Sequence, residues 1–215
     1  STPKKSLVYE LNREGLKTEL KKCHKKGNYN HKTAPLTLLF PNAEGEMIDF
    51  TISEKNVLHP ELEEKFPNIK SYLGKDSNGN TIRFSLTDFG LHAQIFTPEG
   101  TQYIDPHTQD ATNYLVYHRK DIQKKNAFSC LNKDTNPLEE LEATPFLKKT
   151  AAADGVFRTY RLAMATTVEY SDFHIKRAGL QNGTILQKQS AVLSAIVVTL
   201  TRVNGIFEKE FALTM

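Results

Sequence analysis

Thr81-Ile-Arg-Phe-Ser-Leu-Thr-Asp-Phe-Gly-Leu-His-Ala-Gln-Ile-Phe-Thr97 decides the fold class of this chain. Ile82, Phe84 and Leu86 alternate with polar residues, the period of a strand that buries one face. Thr87-Asp-Phe-Gly90 supplies turn residues, and Leu91 to Thr97 returns, so the stretch reads as a hairpin. The same grammar extends outward in both directions. Upstream, Leu36, Leu38 and Phe40 alternate, Pro41-Asn-Ala-Glu-Gly45 turns the chain, and Ile48, Phe50 and Ile52 alternate again. Ile69 to Gly74 is extended, and Asp76-Ser-Asn-Gly79 is a turn. Downstream, Pro98-Glu-Gly100 turns once more, and Tyr103-Ile-Asp-Pro106 and Tyr114-Leu-Val-Tyr117 close the series. Short strands at regular spacing with turn residues between them predict an antiparallel sandwich or a strongly bent sheet over about residues 6–127. Three smaller pieces accompany it. Leu7 and Tyr9 mark a short strand over Ser6 to Glu10, Asn12 caps a helix from Arg13 to His24, and Pro60 opens a short helix.

Residues 128–156 are polar and small, and read as an exposed linker of the kind that proteases cut. Residues 157–215 change character again. A strand is expected over Tyr160 to Glu169 and a helix over Thr184 to Asn204, with Val192, Leu193, Ile196, Leu200, Val203 and Phe207 on one apolar face. Gly205 stands where a helix C-cap belongs, and Phe211-Ala-Leu-Thr-Met215 opens another apolar run. A lone βα unit cannot cover its own apolar face, so this part reads as the opening of something longer. The expected class is α+β: a mainly antiparallel, β-sandwich-like domain followed by a βα unit.

Composition narrows the function classes. Of 215 residues, 39% are hydrophobic and 25% charged, the balance of a globular chain with enough apolar surface for a core. A net charge of +3 does not point to nucleic acid. The densest basic patch, Lys17 to Lys26, carries no interleaved aromatics and reads as the solvated face of a helix. No apolar run reaches the roughly 18 to 20 residues that a membrane span needs, so none is expected. Two cysteines, Cys23 and Cys130, are too few for a disulfide framework. No Gly-rich phosphate loop, Gly-x-Ser-x-Gly elbow or Cys-x-x-Cys pair occurs.

Two blocks of the sequence resemble a family. Pro60-Glu-Leu-Glu-Glu-Lys-Phe-Pro-Asn-Ile-Lys-Ser-Tyr-Leu-Gly74, Thr81-Ile-Arg-Phe-Ser85, Gly90-Leu-His-Ala93 and Tyr103-Ile-Asp-Pro106 are similar to the pro-region of secreted bacterial reprolysin-like (metzincin) zinc metalloprotease precursors. Tyr160-Arg-Leu-Ala163, Glu169-Tyr170, Ala191-Val-Leu-Ser-Ala195 and Arg202-Val-Asn-Gly-Ile-Phe-Glu208 resemble the first strand and helix of their catalytic domain. The resemblance runs from about Leu36 onward. It implies a pro-domain over 6–127, a processing segment over 128–156 and the truncated start of the peptidase domain over 157–215. It further implies a secreted zinc enzyme as parent, with its own catalytic domain and an activating protease as partners. The family's chemistry needs His-Glu-x-x-His, in which two histidines one helical turn apart hold zinc and the glutamate activates water. This chain lacks that motif, so no catalytic residue is carried over, and the fragment is expected to be inactive alone.

Several side chains remain candidates. Cys130, in Ala127-Phe-Ser-Cys-Leu-Asn132, is the candidate latency ligand: a pro-segment thiolate is able to occupy the open position of the parent's zinc. A disulfide with Cys23, or no role, stands beside that reading. The basic neighbours of Cys23 are of the kind that lowers a thiol pKa, but the preferred reading is an incidental exposed thiol. His92 reads as a ligand or, by preference, as a histidine hydrogen-bonded across the sheet. Asp88 and Asp105 read as turn residues. Glu169 and Asp172 are strand-end polar residues in the plain reading and calcium ligands in the family-based one. The alternative function is a β-sandwich binding or adhesion module, with Tyr103, Tyr114 and Tyr117 as stacking surfaces. A third is a free-standing inhibitor of a partner protease.

Overall fold

The structure, a computed structural model, describes residues 3–24, 35–123 and 155–215. Alternating apolar residues pair side by side into one eight-stranded antiparallel sheet. Its strands are β1 (Leu7–Glu10), β2 (Leu36–Pro41), β3 (Met47–Glu54), β4 (Lys70–Lys75), β5 (Thr81–Thr87), β6 (Gly90–Thr97), β7 (Gly100–Pro106) and β8 (Asn113–His118). The order is a plain meander from β2 to β8, with β1 added beside β8. Of the two expected forms, the strongly bent sheet is the one found, a single curled half-barrel, and the sandwich-like reading is corrected to it. Its inward residues, among them Phe40, Phe50, Ile82, Phe84, Leu91, Ala93, Ile95, Tyr114 and Val116, meet in one cluster. A sheet that curls far enough can bury one face against itself, and no second sheet is required.

Helix α1 (Arg13–Leu20) closes the concave side. Leu16 and Leu20 pack into the core, and Asn12 Oδ1 accepts the Gly15 amide at 2.8 Å. It ends earlier than His24. At the rim, the β2–β3 turn reaches across the curl. Ala43 N–H donates to Gln102 Oε1 at 2.8 Å, and Glu44 accepts from Gln102 and contacts His118. Helix α2 (Pro60–Lys65) forms where Pro60 announces it.

The C-terminal part departs furthest from expectation. The strand foreseen over Tyr160 to Glu169 is only β9 (Arg158–Thr159). The Tyr160 amide still donates to the Thr214 carbonyl at 2.9 Å, residues 161–167 form no strand, and Thr167 caps helix α3 (Val168–Arg177) by accepting the Tyr170 amide. Helix α4 (Ile185–Phe211) starts at a Thr184–Gln187 capping box and runs straight through Gly205. Its end is Ala212, in the left-handed region at φ 50°. The expected C-cap at Gly205 is thus overturned. Strand β10 (Leu213–Thr214) then pairs in parallel with β9, which makes a small βαβ unit. By length and composition alone α4 is long and apolar enough to cross a bilayer, a test that core helices also pass. Here one side of it lies under the sheet.

That buried side is not the expected apolar stripe. Ala191, Ser194, Ala195, Val197, Thr201, Asn204 and Gly205 are buried, whereas Val192, Leu193, Ile196, Leu200, Val203 and Phe207 are half-covered. Helices that approach closely need small residues at the contact. A Cβ on Gly205 would stand 3.2 Å from Arg83 Cγ and 3.2 Å from Phe96 Cε2. Strands β5 and β6 are consequently buried on both faces: Ile82, Phe84 and Leu86 inward, Arg83, Ser85 and Thr87 toward α4. The two layers also share a small apolar patch of Phe66, Ile69 and Val197.

Candidate functional site

The layer between the convex face of the sheet and α4 concentrates the buried polar chemistry of the described residues. Three carboxylates anchor it. At one end Asp88 Oδ2 accepts the Ser190 hydroxyl at 2.5 Å and the Ser194 hydroxyl at 3.4 Å. In the middle Asp105 on β7 pairs with Arg202 and accepts the Tyr117 hydroxyl at 2.6 Å. At the other end Glu208 is held by both Arg83 on β5 and Lys55 after β3. Arg83 is only 3% exposed and Glu208 14%. Ion pairs this deep are held by geometry and are screened little by salt.

Position along α4 explains the pattern. Arg202, Gly205 and Glu208 recur at i, i+3 and i+6, so they share the face turned to the sheet. Arg202 also lies over the Tyr103 ring at 5.0 Å, and Lys209 over Phe96 at 5.1 Å. Asn204, one residue aside, performs a different task. Its side chain donates to the Met215 carbonyl at 2.7 Å and accepts the Met215 amide at 3.0 Å, so it pins the end of the strand pair.

Electrostatics follow from this packing. Burial works against the charge on Glu208, but the hydrogen bond from Lys55 and the charge of Arg83 outweigh it and hold its pKa below the ordinary value. Burial, then the neighbouring Asp105 charge, pushes Tyr117 well above the usual phenol range, so it remains a donor. His92 stands on the same outer face, opposite Ser85. Its Nδ1 is buried without a hydrogen-bond partner. Burial pulls its pKa down to about 4; Asp105 opposes this, and Arg202 and Arg177 reinforce it.

The candidates from sequence fall out as follows. Asp105 is not a turn residue; it is the middle anchor of the layer, because its place in β7 points it at α4. Asp88 does sit in the β5–β6 turn and additionally receives the two serines. His92 is partly buried, as the preferred reading has it, and its Nδ1 makes no hydrogen bond. Cys23 is half-buried, its Sγ 3.5 Å from the Ile52 carbonyl, and burial pushes its thiol up to about 11, the reverse of an activated thiol. Cys130, and with it the zinc-latency and disulfide readings, lies outside the described residues. Glu169 and Asp172 are exposed on α3, not at a strand end. Among the described residues no group of three or more His, Cys, Asp or Glu side chains is placed to hold a metal. The three tyrosines of the binding-module alternative do not share a cleft. Tyr114 is 1% exposed in the core, while Tyr103 and Tyr117 pack together beneath Arg202.

Sequence reasoning missed Arg83, Arg202 and Glu208 as partners. The available signal was the charge pattern: a buried-period strand with arginine on its polar side, and a helix with Arg and Glu six residues apart around a glycine. Comparison with protein-family models, with characterised proteins and with solved structures finds no match.

Proposed function

We propose that this chain is the pro-region, with the leading βαβ unit, of a secreted zinc-dependent metalloendopeptidase. The curled sheet acts as folding partner and cover of the peptidase part. One observation carries the reading. The two blocks that resemble such precursors are the two sides of a single interface. Arg83 and Asp105 belong to the first block, Glu208 and Arg202 to the second, and they meet as Arg83–Glu208 and Asp105–Arg202.

The chemistry of the layer suits a removable cover. Buried ion pairs contribute register and specificity, and their net stabilisation is small against an apolar seam of equal area. A cover held in this way docks in one orientation yet separates once the connection is cut. Support also comes from the surface of the βαβ unit. Val168, Phe173 and Ile185 are 73%, 61% and 76% exposed, apolar side chains that further layers of a peptidase domain would cover. Zinc belongs to the parent enzyme in this reading, with Cys130 as its latency ligand and an activating protease acting within residues 128–156.

The test adds the purified chain to the mature zinc-loaded peptidase. Inhibition supports the covering role, and a weaker effect from Cys130→Ser assigns the thiol to the metal. Absence of inhibition by either form overturns it.

A further inference from the structure

We propose that the groove between α2, α3 and α4 is a binding site for a medium-chain carboxylate, an apolar acyl chain with one anionic head. The inference uses this chain's own residues and goes beyond the proposed function.

The groove has a volume of about 440 Å³, inside the range of about 300–1,000 Å³ usual for small-ligand pockets. Phe66 at the end of α2, Ile175 on α3, and Val192, Leu193 and Ile196 on α4 line it. The three α4 residues belong to the apolar stripe that the sequence displays at core spacing. The sheet takes the neighbouring small-residue face and leaves them half-covered, so this apolar surface lacks the cover its spacing implies. Lys65 and Lys188 stand in the same lining, and no Asp or Glu does. Lys65 lies over the Phe66 ring at 5.4 Å, and its Nζ reaches Gln189 Oε1 at 3.5 Å, which holds it near the opening turns of α4. Among the described residues neither lysine makes an ion pair. The groove is therefore apolar with a positive charge excess, the complement of an amphipathic anion.

The helix gives the ligand its direction. Lys188, Val192 and Ile196 recur at i, i+4 and i+8, one row on the surface of α4. The row is charged at one end and apolar beyond it, and it spans about 12 Å at the helical rise. Lys188 also lies in the opening turns of α4, where the helix dipole favours an anion. A carboxylate at Lys188 and Lys65, with its chain laid along Val192 and Ile196, satisfies both ends. A protein helix seated here would need anchors over further turns and charges along its flank; one cationic end suits a single head group.

The test titrates the whole chain with decanoate and with 1-decanol, read by calorimetry and by methyl NMR. Decanoate is expected to bind one to one, with shifts at Ile175, Val192 and Ile196 and none at Ile82 or Ile95 in the half-barrel. Lys65→Gln with Lys188→Gln is expected to weaken decanoate about 10-fold and to leave decanol unchanged, since two partly solvated ion pairs are lost. Ile196→Trp fills the groove and is expected to remove binding of both; should it fail to fold, the shift map of the wild-type chain decides. Equal affinity for decanoate and decanol, no effect of the double lysine variant, or shifts outside the groove overturns the proposal. So does tighter binding of an acidic amphipathic helical peptide that displaces decanoate, or self-association of the chain that Ile196→Trp abolishes, since either gives the groove to a protein partner.

Discussion

Glu208→Gln removes one negative charge from the deepest part of the layer and leaves its shape unchanged. Arg83 and Lys55 then face a neutral amide, and Arg83 is 3% exposed with its Nε already lacking a partner. Deleting one member of a buried pair costs about 3–5 kcal/mol, because a desolvated charge is left behind. Lys55 is 20% exposed, so water softens the loss toward about 3 kcal/mol. For a chain of this length that is a fall in Tm of about 6–12 °C. Thermal and urea unfolding followed by circular dichroism reads it. The effect also has a pH signature. The folded pKa of Glu208 is lowered, so its contribution is present above the ordinary carboxylate pKa and disappears as pH falls through the depressed value. Wild type and variant therefore converge in acid. Arg83→Met with Glu208→Leu, which removes both charges, should recover most of the loss. A Glu208→Gln effect within about 0.5 kcal/mol would refute the reasoning, since it is what a solvated surface pair would show.

Three further predictions follow from single contacts. Gly205→Leu should cost more than about 2 kcal/mol in unfolding experiments, since its Cβ already stands 3.2 Å from Arg83 and Phe96; Gly205→Ala should be far milder, because a helix propensity gain of about 1 kcal/mol offsets the crowding. Asn204→Ala should cost about 2 kcal/mol and accelerate amide exchange at residues 213–215, as both bonds to Met215 are lost. In a Cys130→Ser chain, Cys23 should react sluggishly with thiol reagents at pH 8 and speed up until about pH 11; rapid labelling at pH 8 would contradict its burial.

The strands were legible because a half-buried strand writes its burial as alternation. Ile82, Phe84 and Leu86 against Arg83, Ser85 and Thr87 is such a record. Alternation does not tell a polar face in water from a polar face under a helix, so the covering of β5 by α4 could not be read from it. The choice between a sandwich and a strongly bent sheet stayed open, since curl is a property of many strands together and not of any one. On α4 the largest residues drew the expected stripe to Val192, Leu193 and Ile196, while close packing selected Ala191, Ser194, Thr201 and Gly205. Gly205 read as a stop because glycine commonly ends helices; here its missing Cβ admits Arg83 and Phe96. Strand β9 was overestimated because its partner β10 offers only two residues to pair with, and Thr167 offered a competing cap.

The central claim is that this sheet covers the opening of a zinc peptidase. The measurement that tests it most directly is zinc content and peptide hydrolysis of the full-length gene product, before and after cleavage within residues 128–156. The account predicts bound zinc in both forms and hydrolysis that rises sharply on cleavage. A product that binds no zinc and hydrolyses no peptide in either form would contradict it.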